Sequence, residues 1–153
     1  MKNIIVTGGS GFIGSALIRR LLFNKNLQIL NLDKLTYANS SNLQNYLKKF
    51  KNNYNFKKID INNYNLLNKT IKTFKPDTIF HLAAESHVDN SISNSTKFVE
   101  TNINGTFNLL ECSRHFWQNK NFYKKNRCRF IHISTDEVYG FLKYREKKFT
   151  EEH

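Results

Sequence analysis

Proline occurs once in 153 residues, at Pro76, and no stretch is rich in proline, serine and glycine together, so no linker divides the chain. Cysteine occurs twice, at Cys112 and Cys128, too seldom for a disulfide framework. No apolar run approaches the ~18 residues of a membrane span. The first apolar run, Ile4-Ile5-Val6, is too short for the core of a signal peptide before glycines interrupt it. Acids are scarce: 12 Asp and Glu stand against 24 Lys and Arg, a formal charge of +12. These absences predict a soluble cytoplasmic protein with reduced thiols and no membrane partner. The length predicts one domain with a core of its own, and there is no internal repeat.

The positive charge raises nucleic acid as a partner. It is spread along the chain, however, and it goes with a second excess: 18 lysines accompany 22 asparagines. Both residues have A/T-rich codons, so genome base composition accounts for the pair. The local clusters, Lys48-Lys49-Phe50-Lys51 and Lys124-Lys125-Asn126-Arg127, lie between apolar segments, where a solvated face is the ordinary outcome. No nucleic-acid partner is expected; the charge favours anionic ligands only in a general way.

What is present is concentrated near the start. Thr7-Gly8-Gly9-Ser10-Gly11-Phe12-Ile13-Gly14 follows the apolar run and opens a helical pattern, Ile13, Leu17, Leu21. Strand, glycine turn and helix form the context of a dinucleotide-phosphate loop. Gly8 allows the tight turn, Gly11 lets backbone approach a pyrophosphate, and Gly14 lets the helix pack close to the strand. The free N–H groups of the first helical turn would face the phosphates at the positive end of the helix dipole. Asp33 ends the next apolar run, nineteen residues after Gly14, about where an acid meets adenosine ribose hydroxyls.

Strand and helix patterns alternate through the rest. Strands are expected at about 3–7, 28–33, 54–59, 78–82 and 130–133. Helices are expected at about 12–24, 41–50, from Asn62 or Asn63 to Pro76, and 96–117, with a polar loop at 85–95. Gly105, in the interior of the last helix, costs about 1 kcal/mol against alanine and signals close packing. The alternation predicts a Rossmann-like, doubly wound parallel sheet of order 3-2-1-4-5, with its ligand crevice at the carboxyl ends of the strands.

Three further stretches are informative: Asp33-Lys34-Leu35-Thr36-Tyr37-Ala38, His81-Leu82-Ala83-Ala84-Glu85-Ser86-His87-Val88-Asp89, and His132-Ile133-Ser134-Thr135-Asp136-Glu137-Val138-Tyr139-Gly140. With the glycine loop and Thr101-Asn102-Ile103-Asn104-Gly105-Thr106, they resemble the extended short-chain dehydrogenase/reductase family, and within it the dTDP-glucose 4,6-dehydratases. The resemblance runs over essentially the whole chain but corresponds to the first half of such an enzyme, the cofactor domain without the substrate domain. It implies NAD as cofactor and a nucleotide sugar as substrate, with no metal. Phe12 and Ile13 would sit in the phosphate turn. Asp33, Lys34, Leu35 and Thr36 would surround the adenosine ribose, and Asp60 and Ile61 would flank the adenine. Leu82, Ala83, Ala84, Glu85 and Ser86 would line the nicotinamide half, and Thr101 would contact the cofactor. Ser86 and Thr135 would touch the sugar nucleotide. Asn90 departs from the family, which carries arginine there.

The resemblance also implies chemistry: Thr135 bonding the C4 oxygen, Glu137 as base at C5, and Asp136 as acid toward the C6 hydroxyl. Adjacent carboxylates with opposite tasks need environments that separate them. The blander alternative is that Ser134-Thr135-Asp136-Glu137 caps a helix. The family's Tyr-x-x-x-Lys pair is expected beyond His153, and Tyr54/Lys58, Tyr139/Lys143 and Tyr144/Lys148 read as accidents of a lysine-rich chain. Three roles follow: part of a dehydratase, or of a related epimerase or decarboxylase; a non-catalytic NAD or nucleotide-sugar binding module; and a basic nucleic-acid binder. A homodimer and a complementing C-terminal chain are the two partner alternatives.

Overall fold

The computed structural model describes residues 2–36, 46, 47, 50, 52–118, 127–142 and 148–153. Strand β1 (Lys2–Thr7) leads through the glycine turn into α1 (Phe12–Leu21) and then β2 (Leu27–Asp33). The helix expected at 41–50 lies largely outside the described residues; Tyr46 and Leu47 are helical, and Leu47 is buried. Strand β3 (Tyr54–Lys58), α2 (Tyr64–Phe74) and β4 (Thr78–His81) follow. The chain then forms α3 (Val88–Ser93), α4 (Ser95–Phe98) and α5 (Thr106–Trp117), and returns as β5 (Arg129–His132).

The five strands make one parallel sheet in the order β3-β2-β1-β4-β5, as the alternation predicts. Central β1 pairs on both sides, with Ile5 opposite Leu30 and Ile79. Period-two alternation then sends its apolar side chains to two cores. Ile4 and Val6 pack with Ile18 of α1, Leu22 just past its end, Ile29 and Leu47. Ile5 packs with Leu30, Leu32, Ile79, Leu67 and Ile71 of α2, and Leu109 and Cys112 of α5. A fully buried Leu or Ile is worth about 1.5–3 kcal/mol, so two such layers supply the main cohesion of the sheet.

The helix ends follow from capping. Asn63 is the N-cap of α2, its side chain accepting from Leu66 N at 3.0 Å. Lys75 closes that helix in the left-handed region at φ 54°, just before Pro76. Helix α1 stops at Leu21 instead of reaching 24, because Asn24 N already turns back to the Leu21 carbonyl at 3.0 Å. Two expectations need correction. The supposed loop at 85–95 contains α3, a polar helix with little periodic apolar signal. The supposed continuous α-helix from 96 is α-helical at Ser95–Phe98, π-wound over Val99–Gly105, and α-helical again from Thr106. Gly105 does mark close packing: a Cβ there would lie 2.6 Å from Ile61 Cδ1.

Candidate functional site at the carboxyl edge of the sheet

Four backbone hydrogen bonds continue the sheet one step past its strands. Ile59 N donates to Asp33 O (3.1 Å), Gly8 N to Leu32 O (2.9 Å), Leu82 N to Thr7 O (3.1 Å) and Ile133 N to His81 O (3.0 Å). The exits of all five strands are therefore fixed relative to one another before any loop begins. All the sequence-predicted site residues except Thr101 lie on these exits or on the glycine turn that follows β1.

The glycine turn divides its roles as its spacing predicts. Gly8 has φ +68°, and a Cβ there would sit 2.6 Å from Ala83 N, against the first turn of the β4 exit. At Gly14 a Cβ would run into the Gly8 carbonyl and lie 2.7 Å from Gly9 Cα, so α1 can approach β1 this closely only with glycine. Gly11 differs. A Cβ there would meet only the Gly8 carbonyl, at 3.4 Å, and otherwise point into open space. Gly11 is also the N-cap of α1 and gives no side-chain cap, which leaves the first-turn N–H groups open toward that space. Phe12 and Ile13 stand out beside it, 92% and 61% exposed. An uncapped, positive helix end beside open space fits a pyrophosphate.

Asp33 is held by both oxygens. Ser10 N donates to Oδ2 at 2.9 Å and Leu35 N to Oδ1 at 2.8 Å, with Leu35 at φ 58°. The carboxylate is thereby tied to the glycine turn and keeps lone pairs for ribose hydroxyls. Lys34 points the other way. Its Nζ donates to Thr101 Oγ1 at 3.3 Å and pairs with Glu85 Oε1 at 3.8 Å and Asp60 Oδ2 at 3.9 Å. Asp60 Oδ1 accepts from Asn62 N at 2.9 Å. Ile61 is buried against Gly105, so only its backbone is available to a ligand. Lys34, Thr36, Glu85 and Thr101 share a cavity of about 470 Å³ with Ser93, Asn94, Lys97, Phe98 and Glu100.

The loop after β4 is fastened from the π-wound segment. Asn102 Oδ1 accepts from Glu85 N at 2.8 Å and its Nδ2 donates to Glu85 O at 2.9 Å. One side chain thus pairs with both backbone groups of a residue assigned to the nicotinamide half. Below it, buried His81 lies between two hydroxyls, Thr7 Oγ1 at 2.7 Å and Thr106 Oγ1 at 2.8 Å. Burial, and secondarily the nearby His132, push the His81 imidazole down to about 4. The unfolded chain therefore takes up this proton first. Stability should be full above about pH 6.5 and fall by up to ~3 kcal/mol as pH drops toward 4. Urea unfolding between pH 4 and 7.5 checks this. His81→Gln should flatten that slope while lowering stability at every pH, and an unchanged slope in the variant would remove His81 as its cause.

Beyond β5, Thr135 begins a 3-10 turn, Asp136–Tyr139. Its Oγ1 accepts from Glu137 N at 3.3 Å and donates to Asp136 Oδ1 at 3.4 Å. The capping reading is thus correct as local geometry, on a short turn. It also leaves both carboxylates exposed at the edge where the other loops gather. Ala84 and Ser86 are likewise exposed, while Leu82 packs on the α1 side of the sheet. Among the described residues the one complete Tyr-x-x-x-Lys spacing, Tyr54/Lys58, lies along β3, with Tyr54 Oη accepting from Asn31 Nδ2 at 3.1 Å.

Several contributors were not anticipated from sequence. Asn102 carries a usable signal, since asparagine inside a helix competes with the backbone for hydrogen bonds. Asn31 is wholly buried, donating to Ser10 Oγ at 3.2 Å beneath the glycine turn, and no pattern announces it. Gly9 packs against Asn31 and Ile18, a close approach that the Gly8, Gly11, Gly14 spacing does not mark. A second cavity, of about 560 Å³, is a different place. Leu110, Glu111, Ser113, Arg114, Trp117, Gln118 and Phe130 line it between α5 and β5. Trp117 Nε1 there donates to the Pro76 carbonyl at the amino end of the sheet, far from the strand exits.

With this geometry in place, comparison with known proteins is decisive about family. The family model described as GDP-mannose 4,6 dehydratase matches residues 5–153. The chain belongs to that family. It is 50% identical over 154 residues to the dTDP-glucose 4,6-dehydratase of Haemophilus influenzae, an alignment covering 99% of this chain and 45% of the relative. A Bacillus anthracis dTDP-glucose 4,6-dehydratase, solved in complex with NAD, superposes with a TM-score of 0.78 at 36% identity, covering 99% of this chain and 43% of that one. A double mutant of the Streptomyces venezuelae dTDP-glucose 4,6-dehydratase with NAD bound gives 0.80 at 34% identity, over 97% and 44%. The chain thus spans less than half the length of these relatives. No helix among the described residues is long and apolar enough to cross a membrane.

Proposed function

We propose that this chain is the NAD-binding part of a cytoplasmic nucleotide-sugar dehydratase that converts dTDP-glucose to dTDP-4-keto-6-deoxyglucose. The carrying observation is convergence. An open glycine turn, a tethered Asp33 carboxylate, the Glu85 loop and the Thr135-Asp136-Glu137 turn all leave one edge of one sheet. The residues fit a dinucleotide: Gly11 leaves space at an uncapped helix end, and Asp33 stands at the neighbouring exit.

When bound, NAD+ would supply reversible hydride acceptance for chemistry at sugar C4 and C6. The chain's own residues do the rest. Gly11 and the first turn of α1 hold the pyrophosphate, and Asp33 accepts from the ribose hydroxyls. Asp60 and Ile61 flank the adenine, Leu82 through Ser86 line the nicotinamide half, and Thr101 closes the far wall. Thr135 bonds the C4 oxygen. With a ketone at C4 the C5 proton is acidic, and Glu137 removes it while Asp136 protonates the departing C6 hydroxyl. Neither an epimerase nor a purely binding module has a use for these two adjacent carboxylates. Val99, Ile103, Phe107 and Leu110 form an exposed apolar stripe, which a second copy or a complementing C-terminal chain would cover.

Cofactor choice tests the reading. NAD+ should bind at least about tenfold more tightly than NADP+, a difference of ~1.4 kcal/mol, because Asp33 faces the position of a 2′-phosphate. Lys34 does not offset this, since its ammonium is engaged by Glu85, Asp60 and Thr101. Calorimetric titration of both cofactors decides it. Equal affinities or tighter NADP+ binding would remove the assignment, and Asp33→Ala should shrink the preference.

A further inference from the structure

Thr7 and His81 are the last residues of β1 and β4 and lie opposite each other in the sheet. Neither is open to water, at 0% and 1% exposed. Thr7 Oγ1 and His81 Nδ1 are 2.7 Å apart. Two more contacts extend the pair. Ala83 N donates to Thr7 Oγ1 at 3.4 Å, and His81 Nε2 lies 2.8 Å from Oγ1 of Thr106, the first residue of α5.

Counting protons gives this series a direction. A hydroxyl has one proton to donate, and a neutral imidazole has one N–H and one acceptor nitrogen. If Nδ1 carried the proton, Thr7 Oγ1 would receive from both Nδ1 and Ala83 N. Its own proton would then be buried without an acceptor among the described residues, which is the costly arrangement. With the proton on Nε2, Thr7 donates to Nδ1 and Nε2–H donates to Thr106 Oγ1. The proton left over is then that of Thr106, which is only half-buried. An imidazolium would donate at both nitrogens and orphan the Thr7 proton again. Burial, and secondarily the nearby His132, hold the ring neutral at ordinary pH.

We propose that His81 is a positioning residue, fixed as the Nε2–H tautomer, that carries one directed run of hydrogen bonds from the Ala83 amide to the start of α5. Ala83 N–H donates to Thr7, Thr7 O–H to His81, and His81 Nε2–H to Thr106. Ala83 is also the residue against which Gly8 fits, since a Cβ on Gly8 would lie 2.6 Å from Ala83 N. The run therefore sets the gap between the glycine turn and the loop after β4, and ties both to the helix that follows the π-wound segment. This rests on the NAD reading above only for what the two loops hold. The hydrogen bonds themselves belong to the ligand-free chain.

Three measurements on the 153-residue chain test this, and the first needs no variant. Ring-nitrogen NMR of the ligand-free chain at neutral pH should show His81 Nδ1 as a bare acceptor and Nε2 as protonated. A proton on Nδ1, or an average of the two tautomers, overturns the proposal. The second is amide hydrogen exchange without ligand. Thr106→Val keeps the branched shape and removes the hydroxyl that His81 bonds. It should speed exchange at the Ala83 amide about threefold, with little change at core amides such as Ile5 and Ile79, and Thr106→Ser should restore protection. Thr106 bonds neither Thr7 nor Ala83, so a loss of packing confined to α5 would leave Ala83 exchange unchanged, and that result overturns the run. The third is NAD+ titration, in which Thr7→Val should weaken binding about tenfold and Thr7→Ser less than threefold. Binding that is unchanged in Thr7→Val overturns the positioning role. If the tautomer and the exchange results hold while even the unaltered chain ignores NAD+, the directed run stands and the cofactor assignment fails.

Discussion

Glu137→Gln should slow the dehydration of dTDP-glucose by roughly 10²–10⁴-fold, the range for losing a positioned general base. The setting for this measurement is the chain joined to the carboxyl-terminal part of its Haemophilus influenzae relative, which supplies the length that this chain does not span. Affinity for NAD+ should stay within about a factor of two, because nothing ties the Glu137 side chain to the glycine turn or to Asp33. The turn itself should survive, since Thr135 receives its hydrogen bond from the Glu137 backbone N–H, which glutamine retains. Stability should barely change, because the carboxylate is exposed and surface substitutions rarely move stability by more than about 0.5 kcal/mol. A loss confined to the catalytic step, with binding and folding intact, is the signature of a group that acts on substrate. Full activity in the variant would assign C5 proton removal to another base.

The 153 residues alone should give no detectable turnover of dTDP-glucose with NAD+. The first event requires a base for the C4 hydroxyl proton. Tyr54 is unsuitable: burial raises its pKa, and it lies along β3 with its hydroxyl bonded by Asn31 instead of at the strand exits. Tyr139 lies in the 3-10 turn, and its partner in the spacing, Lys143, falls outside the described residues, as does Tyr144. A missing base costs roughly 10²–10⁴-fold. Loss of the groups that would grip the nucleotide half of the substrate adds a positioning deficit that can reach ~7 kcal/mol or more. The assay is product formation, read as the 4-keto-6-deoxy sugar, with contaminating host enzyme excluded by a Glu137→Gln control prepared in parallel. Turnover that survives purification and disappears in the control would mean that these residues contain a complete site.

The sheet order was legible because the βαβ alternation and right-handed crossovers leave few topologies, and the central strand announces itself as Ile4-Ile5-Val6 ahead of glycines. The glycine roles were legible for a similar reason. Spacing reports backbone constraints directly, and Gly8 and Gly14 do lie where a Cβ would strike neighbouring backbone. Helix α3 was not legible, because Val88–Ser93 is short and polar and its identity depends on what precedes and follows it. The π winding was hidden too. It ends at Gly105, which packs against Ile61, a residue 44 positions away, and no local pattern encodes that contact. The fastenings of the site were the least visible part. His81 between Thr7 and Thr106, Asn102 on the Glu85 backbone, and Lys34 between two acids are all contacts between distant segments. Resemblance could assign residues to the cofactor, but only tertiary geometry separates those that face the groove from those that hold its walls.

The most direct measurement is the change in backbone amide resonances of the 153-residue chain as NAD+ is added. The largest shifts should fall on the turn from Gly8 to Gly14, on Asp33 through Thr36, and on Leu82 through Ser86, with the strands between them almost still. Shifts gathered instead around Leu110, Trp117 and Phe130, at the larger apolar cavity on the other side of α5, or no saturable shifts at all, would contradict a dinucleotide site at the carboxyl edge of the sheet.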